Sequence, residues 1–143
     1  MGLDNGLRIK GKTIKGKNFL NQYCKEIKDE YDPNWYDLGY WRKCWNIRQR
    51  FLDVFKDRYN EDEQEIKFKI SDIPIIVNDV LKYFLDENNW NYNNSYSQIF
   101  DWYEELPSIA NAIHNLLFLI EDIERAEDPI TDEDIEISFY DSY

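Results

Sequence analysis

Hydrophobic residues alternate with cations near the start of this chain. Leu3, Leu7 and Ile9 stand at odd positions, with Arg8 and Lys10 between and beyond them. A period of two predicts a strand, and Gly2, Gly6, Gly11 and the Asn5-Gly6 pair predict a bulge or turn within it. The period then changes. Phe19, Leu20, Tyr23, Cys24, Ile27 and Tyr31 recur at helical spacing, with Asn18 placed as N-cap. Asp32-Pro33 and Gly39 mark a loop, after which a second helix is predicted from about Tyr40 to about Tyr59. Ile66, Phe68 and Ile70 alternate with Lys67 and Lys69, the pattern of a half-buried strand. Pro74 opens a third helix with apolar pairs Ile76/Val77, Val80/Leu81 and Phe84/Leu85. A polar-aromatic loop leads to a last helical region, from about Ser97 to about Ala126, which Pro107 is expected to kink or split. Its seam is Leu106, Ile109, Ala110, Ile113, Leu116/Leu117, Ile120 and Ile123, and Ile135, Ile137 and Phe139 alternate in a closing strand. The pattern contains no internal repeat, low-complexity tract or linker. It predicts one α+β domain over 1–143, with a small antiparallel sheet of N-terminal, middle and C-terminal strands packed against about four helices.

Composition adds that the chain can support a core: 43% of its 143 residues are apolar and 17% aromatic. The net charge of −12 disfavours wholesale binding to nucleic acid or anionic membranes. The charge is uneven, however. Residues 1–17 set Arg8, Lys10, Lys12, Lys15 and Lys17 against Asp4 alone, whereas residues 121–143 set ten carboxylates against Arg125 alone. Solvated edges are the commoner meaning of such runs; the sharper alternative is one face for anions and another that mimics an anionic polymer. Cys24 and Cys44 fall at apolar helical positions and form no disulfide framework, which suits a reducing compartment. No stretch approaches a membrane span, and the start "MGLDNGLRIK" carries neither a signal-peptide apolar region nor a myristoylation signal, so a cytoplasmic setting is expected.

The densest chemistry lies in "LGYWRKCWNIRQRF", residues 38–51. On a helical wheel Trp41, Cys44, Trp45, Phe51, Leu52, Phe55 and Tyr59 form one stripe, with Arg48 near its middle and Arg42 on a flank. Phe51, Leu52 and Phe55 read as core. A guanidinium in an apolar stripe needs a partner or an opening to water. Arg48 is therefore either a buried ion pair, with Asp4 or Asp101 as partner, or an anion clamp at the floor of an aromatic pocket walled by Trp41 and Trp45. The segment "NWNYNNSYSQIFDWYEEL" adds rings around polar amides, either a pinned loop or a recognition surface. Catalytic signals are weak. The single His114 has no paired nucleophile, Glu104 and Glu105 face different ways, and Cys24, Cys44 and His114 lack metal-site spacing. Neither a phosphate-binding Gly loop nor a calcium loop is present, and no metal or cofactor is expected.

Four islands of sequence carry a resemblance over the whole chain: Met1-Gly2-Leu3-Asp4; Tyr40-Trp41-Arg42-Lys43 with Ile47 and Phe51; Asp101-Trp102-Tyr103-Glu104; and Phe139-Tyr140-Asp141-Ser142-Tyr143. In order and spacing they resemble a widespread group of uncharacterised phage and prophage proteins. Trp45 and Arg48 stand where those relatives carry an Asn and a His. The resemblance implies a phage accessory protein acting in the host cytoplasm, and it implies no reaction. Three functions are then open. One is a non-enzymatic counter-defence protein that binds a small anionic, nucleotide-like ligand through Trp41, Arg42, Trp45, Arg48, Asp101, Trp102, Tyr103, Arg8 and Lys10. Another is an acidic protein that docks its 121–136 carboxylates on a host nuclease or DNA-binding protein. The last is an enzyme acting on a nucleotide or nucleic acid. Exposed aromatics also leave a homodimer open.

Overall fold

The computed structural model describes residues 4–42, 44–93 and 101–142. In chain order they form β1 (Asp4–Gly11), α1 (Ile14–Tyr23), β2 (Trp35–Arg42), α2 (Trp45–Phe55), β3 (Glu65–Phe68), a helical run α3 over 70–85, α4 (Trp102–Arg125) and β4 (Ile135–Ser142). The fold is α+β. Its antiparallel sheet has the order β2-β1-β4-β3, so the first and last strands lie side by side in the middle.

One strand in this sheet corrects the sequence reading. Residues 35–42 are β2, not a loop followed by the first turn of a helix, and helix α2 begins at Trp45 rather than Tyr40. The reason is a bulge. Leu7 pairs with Gly39 and the next residue, Arg8, pairs with Asp37, so Leu38 is an extra residue in β2. The parity of the strand therefore reverses at that point. Tyr36 and Leu38 on one side of the bulge, and Trp41 on the other, all face the core, which destroys the simple alternation. Gly39 is needed there because a Cβ would lie 2.7 Å from the Trp41 ring and 3.0 Å from Ala112 on α4.

Helices α2, α3 and α4 line the core face of the sheet. Phe51 stacks on Phe139 at 4.3 Å, and Phe55 meets Phe68 edge-on at 4.9 Å, tying α2 to β4 and β3. Asn115 of α4 donates to the Leu38 carbonyl at 3.0 Å, where the bulge exposes it. The run α3 holds Ile76, Val77, Val80, Leu81 and Phe84 in the same core. Its apolar pairs recur every four residues, and Ile76–Leu81 winds as a π-helix. The wider turn keeps pairs four apart nearer one line than a 3.6-residue turn does over this length.

Helix α1 begins and ends earlier than its apolar spacing predicts. Thr13, not Asn18, is the N-cap, with its hydroxyl accepting from the Gly16 N–H at 3.0 Å. The loop before β4 closes on this end of α1: Lys12 N–H donates to the Asp134 carbonyl at 2.7 Å, and Thr13 Oγ1 donates to Asp134 Oδ1 at 2.8 Å. Helix α4 is one helix through Pro107 rather than two. Pro107 leaves the carbonyl of Tyr103, an exposed residue, without its intrahelical donor, where water can reach it. Leu3, Lys43, Tyr96, the expected helix start at Ser97 and Tyr143 lie outside the described residues. Among the described residues no helix is long and apolar enough to cross a membrane.

Candidate functional site

The nine residues expected to build an aromatic and cationic pocket do not converge. Trp41 is a core-facing strand residue, 1% exposed, with its ring 6.4 Å from Phe51. Arg42 points to the other face of the sheet and is exposed. Trp45 lies at the start of α2 with the Arg48 guanidinium 4.9 Å from its ring. Arg48 has a carboxylate partner, but it is neither Asp4 nor Asp101. Its Nε donates to Asp141 Oδ2 at 2.9 Å, and Tyr59 Oη donates to the same oxygen at 3.0 Å. The Asp141 side chain is fully buried on the core face of β4. Burial pushes its carboxyl above the ordinary range, while Arg48 and Tyr59 hold it down. Arg48 is thus a buried ion pair that closes the end of the core.

Asp101, Trp102 and Tyr103 start α4 and serve its architecture. Asp101 is the N-cap and accepts from Tyr92 Oη at 3.1 Å. The Trp102 indole donates to the Phe84 carbonyl at 2.7 Å, tying α4 to the end of α3. Tyr103 is exposed and packs edge-on against Trp102 at 4.8 Å. Asn46 holds the loop after α3, accepting from Asn91 N–H at 2.9 Å and donating to its carbonyl at 3.4 Å.

Arg8 and Lys10 lie on the outer face of β1, next to Trp35. Arg8 stacks between two rings, 3.9 Å from Trp35 and 4.6 Å from Tyr140, and Lys10 lies 4.8 Å from Trp35. Around the far end of this row, a groove of about 750 Å³ opens between β1, α1 and the loop entering β2. Among the described residues Lys10, Lys12, Lys17 and Lys28 line it against the single carboxylate of Glu136, with the amides of Asn18, Asn21 and Asn34 beside them. Lys10 is engaged by Glu136 at 3.7 Å. Lys12, Lys17 and Lys28 are exposed and join no carboxylate in an ion pair among the described residues. The cationic excess of residues 1–17 signals this groove; Trp35, Asn34 and Lys28 enter it only because 35–42 is a strand.

Parts of the acidic region at 121–136 are tied to the fold, although only Asp134 among its carboxylates is buried. Lys15 lies 3.5 Å from Asp128 and 3.4 Å from Asp134, and Asp132 accepts from Ile70 N–H at 2.7 Å. Glu121 pairs with Arg125 at 2.7 Å. Hydrogen bonds from the Thr131 N–H and the Thr13 hydroxyl hold the Asp134 carboxyl below its ordinary range, with Lys15 adding to them. Cys24 and Cys44 are buried free thiols, both raised chiefly by burial, Cys24 to about 12. Among the described residues no group of three or more His, Cys, Asp or Glu is placed to hold a metal ion. His114 stands exposed on α4 with its ring 4.4 Å from Phe118. Comparison with family models, with curated proteins and with solved structures finds no match to this chain.

Proposed function

We propose that this chain is a non-enzymatic binder of a small anionic ligand of nucleotide type, held in the lysine groove between β1, α1 and β2. The observation that carries the reading is the concentration of four lysines against one carboxylate in a concave site, on a chain whose net charge is −12. Three of those ammonium groups have no internal ion pair among the described residues, and the Asn side chains beside them offer donors and acceptors for a ribose or base. Over distances beyond about 8 Å at physiological salt the acidic remainder of the protein is screened, so a short-range basic cluster can act locally. The resemblance to phage and prophage proteins supplies the setting: a counter-defence protein in the host cytoplasm that sequesters a signalling nucleotide. Docking of the acidic region on a host protein is the second reading: Asp134 is buried and engaged by Lys15, while Glu124, Glu127, Asp128, Asp132 and Glu133 are exposed.

Thermal unfolding with a panel of cyclic and linear nucleotides tests this. A ligand at 100 times its Kd stabilises by about 2.7 kcal/mol, a rise of roughly 8–12 °C for a chain of this size. The double substitution Lys12→Glu/Lys17→Glu, at two exposed positions, should abolish the rise and leave the unliganded melting temperature nearly unchanged. A panel that moves nothing, or a shift that survives the charge reversal, removes the proposal.

A further inference from the structure

On the outer face of the sheet, Tyr40 of β2, Gly6 of β1 and Tyr140 of β4 stand in register across three adjacent strands. Gly6 has no side chain, and Tyr140 leans into the space: a Cβ on Gly6 would lie 2.7 Å from Tyr140 Oη and Cε1. The two rings border a cavity of about 650 Å³ whose opposite side is the segment 26–31, where Tyr31 stands exposed. Asp37 lies in the cavity on β2, and Glu26, Asp29 and Glu30 line its rim, so among the described lining residues four carboxylates face the ammonium of Lys28, with the Arg8 guanidinium beyond the Tyr140 ring. The rim is held in place. Asp29 Oδ1 accepts from the N–H groups of Tyr31 at 2.8 Å and Asp32 at 3.2 Å, and Asp29 N–H donates to the Trp35 carbonyl at 2.9 Å.

The groups in this cavity feel one another. Burial first and then the Asp29 charge raise the Asp37 carboxyl, with Arg8 acting the other way. Burial first and then Asp37 push the Tyr140 phenol up to about 12. Arg8, 4.6 Å from the Tyr140 ring, relieves both in part, and a further positive charge between these groups would add to its effect. The carboxylates sit around a wall of rings rather than converging on a point, which suits a bulky cation with apolar substituents better than a bare metal ion.

We propose that the cavity beside Tyr40 and Tyr140 binds a small organic cation of the quaternary or alkylated ammonium type, with the two rings against its alkyl groups and Asp37 as counter-charge. This site is distinct from the lysine groove, and among the described residues Lys28 alone lines both. The ligand chemistry is opposite in sign, so the two proposals stand or fall separately.

The test is a heteronuclear NMR titration of the whole chain with choline, using its neutral isostere 3,3-dimethyl-1-butanol as control. Choline should give saturable shifts at the amides of Gly6, Asp37 and Tyr40, with half-saturation at or below about 1 mM. The isostere should give none at the same concentrations. Tyr40→Ala, at a half-exposed position outside the core, should keep the wild-type fingerprint and weaken choline binding by about 2- to 30-fold. Asp37→Asn should weaken it independently. Absence of saturable shifts at those three residues, equal binding of the isostere, or unchanged affinity in both variants overturns the proposal.

Discussion

Replacing Arg48 with Leu removes the partner of a carboxylate that cannot reach water. Asp141 Oδ2 takes Arg48 at 2.9 Å and Tyr59 at 3.0 Å, and Oδ1 has no hydrogen-bond partner among the described residues. Without the guanidinium the carboxylate either stays charged in an apolar setting or takes up a proton. Protonation sets the ceiling on the penalty. Neutralising a carboxyl of ordinary pKa costs about 1.36 kcal/mol for each pH unit above about 3.9, hence about 4 kcal/mol at pH 7 and about 1.5 kcal/mol at pH 5. The pH 7 figure falls within the roughly 3–5 kcal/mol found when one partner of a buried pair is removed. The sign follows from linkage: in the variant the folded Asp141 pKa lies further above its unfolded value, so stability relative to wild type falls as pH rises through that window. Urea unfolding at pH 5 and pH 7 measures it, and with a slope near 2 kcal/mol/M the pH 7 midpoint should drop by up to about 2 M. Adding Asp141→Asn to the variant should recover most of the loss at pH 7. A destabilisation below about 1 kcal/mol at pH 7, or one equal at both pH values, refutes the reasoning.

Two further outcomes follow from packing. Gly16→Ala should destabilise by roughly 3 kcal/mol in the same urea assay, because its Cβ would fall on the Asp134 carbonyl oxygen that Lys12 N–H also uses. Cys24 and Cys44 are buried with raised thiol pKa values, so a disulfide reagent at pH 8 should label neither thiol in the native chain and both in denaturant.

Three of the four strands and the main helices follow from apolar period alone, because each buries one face against a common core. The fourth strand did not, and the bulge at Leu38 is the cause: it places Tyr36, Leu38 and Trp41 on one side without alternation. That single misreading carried the site with it. Placing Trp41 on the same helix as Trp45 and Arg48 made a pocket on a wheel that the chain does not form, since Trp41 belongs to β2. The need of Arg48 for a partner was legible from its apolar surroundings. The partner was not, because Asp141 lies 93 residues away on a strand whose neighbours only the sheet order reveals. The basic bias of residues 1–17 was likewise legible as charge, whereas its shape required Lys28 and Trp35 to be brought beside it.

The central pairing of β1 with β4 joins Asp4 to Ser142, so the middle of the sheet is its least local contact. Until β4 arrives, β1 offers one open edge, β3 has no neighbour, and Phe51 lacks the Phe139 ring it stacks on. Before β4 pairs, β1 and β2 can already join, while β3 waits without a neighbour. β4 is the strand that joins β3 to the rest of the sheet, which favours all-or-none completion and leaves the open edges of β1 and β3 exposed to aggregation until it pairs.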